Sequence, residues 1–155
     1  MKTNARKLNG FTLVEMLMTL AIISVMAALV ISAFSNATQD TREVMARQQQ
    51  ATVQSALNNW ISQQITGRVT VKEVRDAYNN DGDGDPNSSL ARLGLVEDYL
   101  DKDTYDHFTA NSSADGLKVR SAAMVKAKKY LTLGTWAEPD VNNRAPYPKV
   151  ELNDD

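Results

Sequence analysis

The sequence predicts an α+β protein, with a long N-terminal helix whose first half spans a membrane and whose second half packs on a small antiparallel β-sheet head. Three observations carry that prediction. Of the 19 residues from Met16 to Phe34, 16 are apolar, the others being Thr19, Ser24 and Ser32, and none is charged. Beyond them, Val53, Leu57, Trp60, Ile61 and Ile65 recur at spacings that place them on one helical face. After Gly116, Leu117 to Val125 and Tyr130 to Trp136 read as two strands joined by the basic turn KAKK. The expected organisation is a leader over 1–10, a transmembrane and assembly helix over 11–35, its amphipathic continuation over 36–66, and a head over 67–155.

The apolar run sets the frame. At ~1.5 Å rise per residue, 19 residues cover roughly the 30 Å hydrocarbon core of a bilayer. Glu15 stands at its entry edge, where a carboxylate near bilayer depth costs about 2.5–3.5 kcal/mol on insertion scales and so faces a partner. The basic residues upstream are Lys2, Arg6 and Lys7, followed by Gly10 at the junction of polar leader and apolar helix. A cut after Gly10 would create an amine on Phe11, which with a reference pKa of about 7.7–8.0 is largely protonated at neutral pH.

The string GFTLVE, after a short basic leader and before an apolar helix, resembles the class III signal of type IV pilins and type II secretion pseudopilins. The resemblance implies cleavage between Gly10 and Phe11 by a prepilin peptidase, and N-methylation of Phe11. It puts the family's glutamate at Glu15, the fifth residue after the cut, and makes Phe11, Thr12 and Glu15 an assembly site. The partners it implies are the prepilin peptidase, the inner membrane, the secretion or pilus assembly machinery, and copies of this chain or other pilin-like subunits in a filament. Electrostatics agree: Glu15 gains from the positive end of its own helix dipole, and a staggered neighbour's Phe11 amine would be a strong partner in apolar surroundings.

Within the apolar helix, Ser24, Ala28 and Ser32 recur at four-residue spacing, a face of small residues that lets another helix approach closely. Many relatives of the family carry a glycine and a kinking proline where this chain has these serines, and neither serine removes a backbone donor as proline would. Lys2, Arg6 and Lys7 leave the leader cytoplasmic by the positive-inside rule, with the head periplasmic or extracellular. A cleaved secretory signal peptide shares the basic flank, but a run of 19 exceeds its ~7–15-residue apolar core.

Charge and cysteine content narrow the function. The whole chain carries −2; from Phe11 onward, 14 Lys and Arg stand against 19 Asp and Glu, a net −5, which argues against nucleic acid as a partner. There is no cysteine, so a head in an oxidising compartment closes its loops without disulfides. By the resemblance, pilins often pin the C-terminal region with a disulfide and major pseudopilins with calcium, and the missing cysteines favour the second group.

Residues 36–52 are polar, and the helix is expected from about Thr12 to Gln64, ~80 Å at 1.5 Å per residue, with Gly67 as its stop. TVKE at Thr70–Glu73 has capping-box spacing and predicts a helix over Val71–Tyr78. In NNDGDGDPNSS, Asp81, Asp83 and Asp85 alternate; this loop is read either as a calcium site, which Glu97 or Asp98 would complete only if the fold returns them, or as a solvated acidic turn. The EF-hand register fails there, with Pro86 at the sixth position and Arg92 at the twelfth. Ser88 or Ser89 caps a helix over LARL, ended by Gly94. LARLGLVEDYLDKDTYDHF loosely resembles the pseudopilin segment, and that resemblance implies an acid-rich turn between the short helix and the sheet. The tail from Glu138, with Pro139, Pro146 and Pro148, reads as a loop over the head or as disordered.

His107 is the one histidine, read as a surface or loop residue, and no serine sits in an activating motif, so catalysis is not expected. Three classes compete: a filament subunit, a membrane-anchored calcium-binding or adhesive module outside any filament, and an enzyme on a signal anchor. Gly10, Phe11 and Glu15 together favour the first.

Overall fold

No proline or glycine lies between Thr12 and Thr66, so nothing in the backbone interrupts a helix there. In the computed structural model, which describes residues 11–66, 69–80, 88–139 and 146–155, helix α1 spans Leu13–Thr66. The chain divides into two compact units, Met1–Gln39 and Asp40–Asp155. In the first, every large apolar side chain of α1 from Leu13 to Phe34 is at least 58% exposed. A contiguous apolar surface of that extent is stable against lipid or another apolar helix, not against water. α1 is long and apolar enough to cross a membrane.

In the second unit the predicted stripe is the core face. Val53, Leu57, Trp60 and Ile61 are buried, Ile65 is partly buried, and Ala46 and Ala56 extend the same face. They pack with Val74 and Tyr78 of α2 (Val71–Asn79), Leu93 of α3 (Ser89–Gly94), Phe108 of α4 (Lys102–Asn111) and Met124 of α5 (Ala122–Ala127). A chain of rings runs through this core, Trp60 to Tyr78 at 6.2 Å and Tyr78 to Trp136 at 6.3 Å between centroids.

Local chemistry explains the short helices. Thr70 and Glu73 form the predicted capping box of α2, the Thr70 N–H and hydroxyl each donating at 2.8 Å to Glu73 Oε2 while Glu73 N–H donates to Thr70 Oγ1 at 3.3 Å. Ser88 caps α3, its hydroxyl accepting from Ala91 N–H at 3.1 Å. The acid-rich turn expected after Gly94 is instead a 3₁₀ turn, Glu97–Tyr99, and then α4, which Asp101 starts by accepting from Thr104 N–H at 3.2 Å. Gly116 has φ +69°, and a Cβ there would lie 2.6 Å from Ser88 Oγ, so the turn before residue 117 requires glycine.

The sheet corrects the sequence reading twice. Of the expected strand Leu117–Val125, only Val119 pairs, exchanging backbone bonds of 3.0 and 2.8 Å with Leu131. Ser121 then caps α5, accepting from Met124 N–H at 3.3 Å, because SAAMVKA combines a cap with good helix formers and no period-2 alternation. The KAKK stretch is the end of that helix: Lys128 adopts the left-handed conformation, its N–H reaching the Met124 and Val125 carbonyls. Strand β1, Lys129–Leu133, pairs antiparallel with β2, Val150–Asp154, in the tail expected as loop or disorder; the register runs from Lys129 opposite Asp154 to Leu133 opposite Val150. VELND alternates apolar and polar residues, a strand signal that Pro146 and Pro148 obscured by ending just before it.

Polar side chains of α1 hold β2. Gln50 Nε2 donates to Val150 O at 2.8 Å, and Gln54 accepts from Val150 N–H at 2.8 Å and donates to Pro148 O at 3.2 Å, so the edge of β2 is bonded to helix amides where a third strand would otherwise lie. At the other end Asp155 accepts from Lys118 Nζ at 2.6 Å and Arg120 Nη1 at 2.9 Å; the Lys118 bond, with the Arg120 charge beside it, holds the Asp155 carboxyl below the usual range.

Candidate assembly site at the N-terminus of the first helix

The first turn of α1 has its own capping box. Thr12 N–H and Thr12 Oγ1 donate to Glu15 Oε2 at 2.8 and 2.9 Å, and Glu15 N–H donates back to Thr12 Oγ1 at 3.3 Å. Met16 N–H reaches Thr12 O at 3.2 Å and begins the helical ladder. Thr19 lies one turn on, its hydroxyl donating to the Glu15 and Met16 carbonyls at 3.0 and 2.9 Å. Thr12 thus fixes which way the Glu15 carboxylate points. The reading of Glu15 as an acid seeking a cation missed this partner, although T-x-x-E at 12–15 is the spacing seen at 70–73.

Both Thr12 bonds fall on one oxygen of Glu15, and among the described residues Oε1 accepts none. A carboxylate so held keeps a full acceptor for an outside donor, and the helix N-terminus favours its charge. Phe11 stands beside it, 81% exposed. Gly10 lies outside the described residues.

Farther along, Ser24, Ala28 and Ser32 are all exposed on α1. Ser24 Oγ donates to Leu20 O at 2.7 Å, which removes the hydroxyl from competition for lipid-depth partners and leaves a small surface. α1 continues through both serine positions without a break.

The acidic-loop residues Asp81, Asp83 and Asp85 lie outside the described residues. Glu97 and Asp98 are exposed on the 3₁₀ turn, and among the described residues no three acidic or histidine side chains gather closely enough to hold a metal ion. His107 is exposed on α4.

Comparison with known families matches residues 5–31 to the prokaryotic N-terminal methylation motif. No curated protein and no solved structure matches the chain significantly. The matched stretch holds Gly10, the Thr12–Glu15 box and most of the exposed apolar helix, so the N-terminal segment carries the signature of type IV pilins and pseudopilins, which supports a pilin-like substrate of prepilin peptidase.

Proposed function

We propose that the mature chain is a structural subunit of a type II secretion pseudopilus or a related type IV pilus-like filament, held in the inner membrane until it is assembled. The observation that carries this reading is the Glu15 carboxylate, bonded to Thr12 through one oxygen and open at the other, at the head of an exposed apolar helix. In a staggered array the open oxygen accepts from the methylated Phe11 amine of a neighbouring subunit, a charge-assisted bond strengthened where water is excluded. Ser24, Ala28 and Ser32 form the seam along which neighbouring helices pack. The basic leader keeps the cut site cytoplasmic and the head outside. The lack of cysteine inclines the reading to the secretion pseudopilus.

Intact mass of the matured protein tests the first step: the expected chain begins at Phe11 and carries one methyl, and any other start removes the assignment. Calcium at Asp81, Asp83 and Asp85 belongs to the same reading on sequence grounds. It predicts that the full chain in detergent melts higher with millimolar calcium than with chelator, and that Asp81→Ala with Asp83→Ala erases the difference.

A further inference from the structure

The head contains a cleft of about 520 Å³ between α2 and the segments that follow β1 and precede β2, walled by Val71, Lys72, Arg75, Trp136, Glu138 and Tyr147. That volume falls within the roughly 300–1,000 Å³ of small-ligand sites. Two buried donors on its walls make no hydrogen bond among the described residues: Arg75 Nε, whose side chain is 4% exposed and which meets the half-exposed Asp76 carboxylate only as an ion pair at 3.9 Å, and Trp136 Nε1, on a residue 2% exposed. Buried N–H groups are nearly always paired, so two orphans on one cleft mark a place short of acceptors. The guanidinium is held instead from outside: Arg75 Nη2 meets Glu138 at 2.9 Å, and Glu138 is 82% exposed. An exposed carboxylate on a loop is a weak and exchangeable partner for a buried cation. Lys72 adds a second cation at the rim, and Tyr147, stacked obliquely on Trp136 at 5.4 Å, adds a half-exposed apolar wall.

We propose that this cleft binds a small carboxylate with an apolar or aromatic body, the ligand's carboxylate replacing Glu138 on Arg75 while its body lies against Tyr147 and Val71. Every unpaired group there is a donor and the exposed wall is apolar, so an acceptor-bearing apolar acid fits both, whereas a cation or a neutral polyol fits one at most. Glu138 is then an internal competitor, and this gives the proposal a signature that mere structural support would not produce.

The test uses the full-length chain in detergent micelles, ¹⁵N-labelled, titrated with N-acetylphenylalanine, its amide and 3-phenylpropionate while the two indole N–H resonances are followed. Trp136→Phe identifies the Trp136 signal. The acids are expected to shift that signal saturably and the amide not to. Glu138→Gln, which leaves Arg75 in place, is expected to tighten binding severalfold, and Arg75→Gln to weaken it by about tenfold or more. Tighter binding of N-acetylphenylalanine than of 3-phenylpropionate assigns the site to a peptide C-terminus, and equal binding to a free acid. Equal response to the amide, no saturable shift, or weaker binding after Glu138→Gln overturns the proposal.

Discussion

Thr12–Glu15 and Thr70–Glu73 are the same device built twice. In each, a threonine N–H and hydroxyl bond one glutamate oxygen and the glutamate N–H returns to the hydroxyl, with matching lengths. The helices behind the two boxes differ. Behind Thr70, α2 buries Val74, Arg75 and Tyr78 in the head within two turns. Behind Thr12, α1 buries nothing before Ala46. A capping box therefore reports only that a helix starts; whether its carboxylate serves folding or recognition depends on what surrounds the helix. Glu73 completes a helix that packing already holds, whereas Glu15 is the one acid on an otherwise uncharged apolar stretch.

Exchanging the two glutamates' fates is the sharpest test of that difference. Glu15→Val is expected to insert and be cleaved yet yield no filaments in the sheared surface fraction, while Glu73→Val assembles. Filaments at normal yield from Glu15→Val would make the two boxes equivalent and remove the assembly role.

The two halves of α1 predict the next effect. Leu57→Ala opens a cavity in the head and is expected to lower unfolding free energy by about 2–5 kcal/mol in denaturant titrations of the detergent-solubilised chain. Ile23→Ala, at an exposed position of the other unit, leaves that transition where it was. A comparable loss from Ile23→Ala would show that the head depends on the apolar segment.

A smaller effect separates the threonines. Thr70→Ala removes the α2 cap and is expected to cost about 1 kcal/mol of head stability. Thr12→Ala should leave head unfolding unchanged and slow filament growth, since the Glu15 carboxylate then loses the hydroxyl bond that helps orient it and keeps only the backbone N–H of residue 12; unaltered growth would mean that the hydroxyl's contribution is dispensable.

The smallest effect is in pH. Bonds from the Thr70 N–H and hydroxyl hold the Glu73 carboxyl below its ordinary value, as Lys118 and Arg120 hold Asp155. A carboxylate depressed in the fold contributes stability that is complete above its unfolded pKa, about 3.9–4.3, and is lost as pH falls through the folded value. Melting temperature should thus hold steady from neutral pH down to that range and fall below it, with a shallower fall in Asp155→Asn. An equal fall in the variant would place the titration elsewhere.

Much of the fold was legible in the residues because it is local. Val53, Leu57, Trp60 and Ile61 announced the buried face of α1 by spacing, and TVKE announced the start of α2. The same rule applied at TLVE would have found Thr12 as Glu15's partner; the membrane context pointed to a distant cation instead. Two helices were missed for a related reason: their caps Asp101 and Ser121 are single residues, α4 has too few apolar residues for a periodic signal, and α5, mostly apolar over six residues, is too short to show a period.

Local sequence was enough to place the long helix, since an uninterrupted stretch free of proline and glycine needs no distant partner to become helical. It was enough, too, for the processing signature, which lies within a few consecutive residues. The sheet needed the packed head. β1 had several apolar runs to choose from, and its choice of Val150–Asp154 rests on Leu131, Leu133 and Val150 sharing a core with α1, and on amides of Gln50 and Gln54 reaching backbone 94 to 100 residues away. Pairing across such separations is settled by which arrangement buries the apolar edges and satisfies the strand's polar groups together, and no window of sequence contains both sides of that balance.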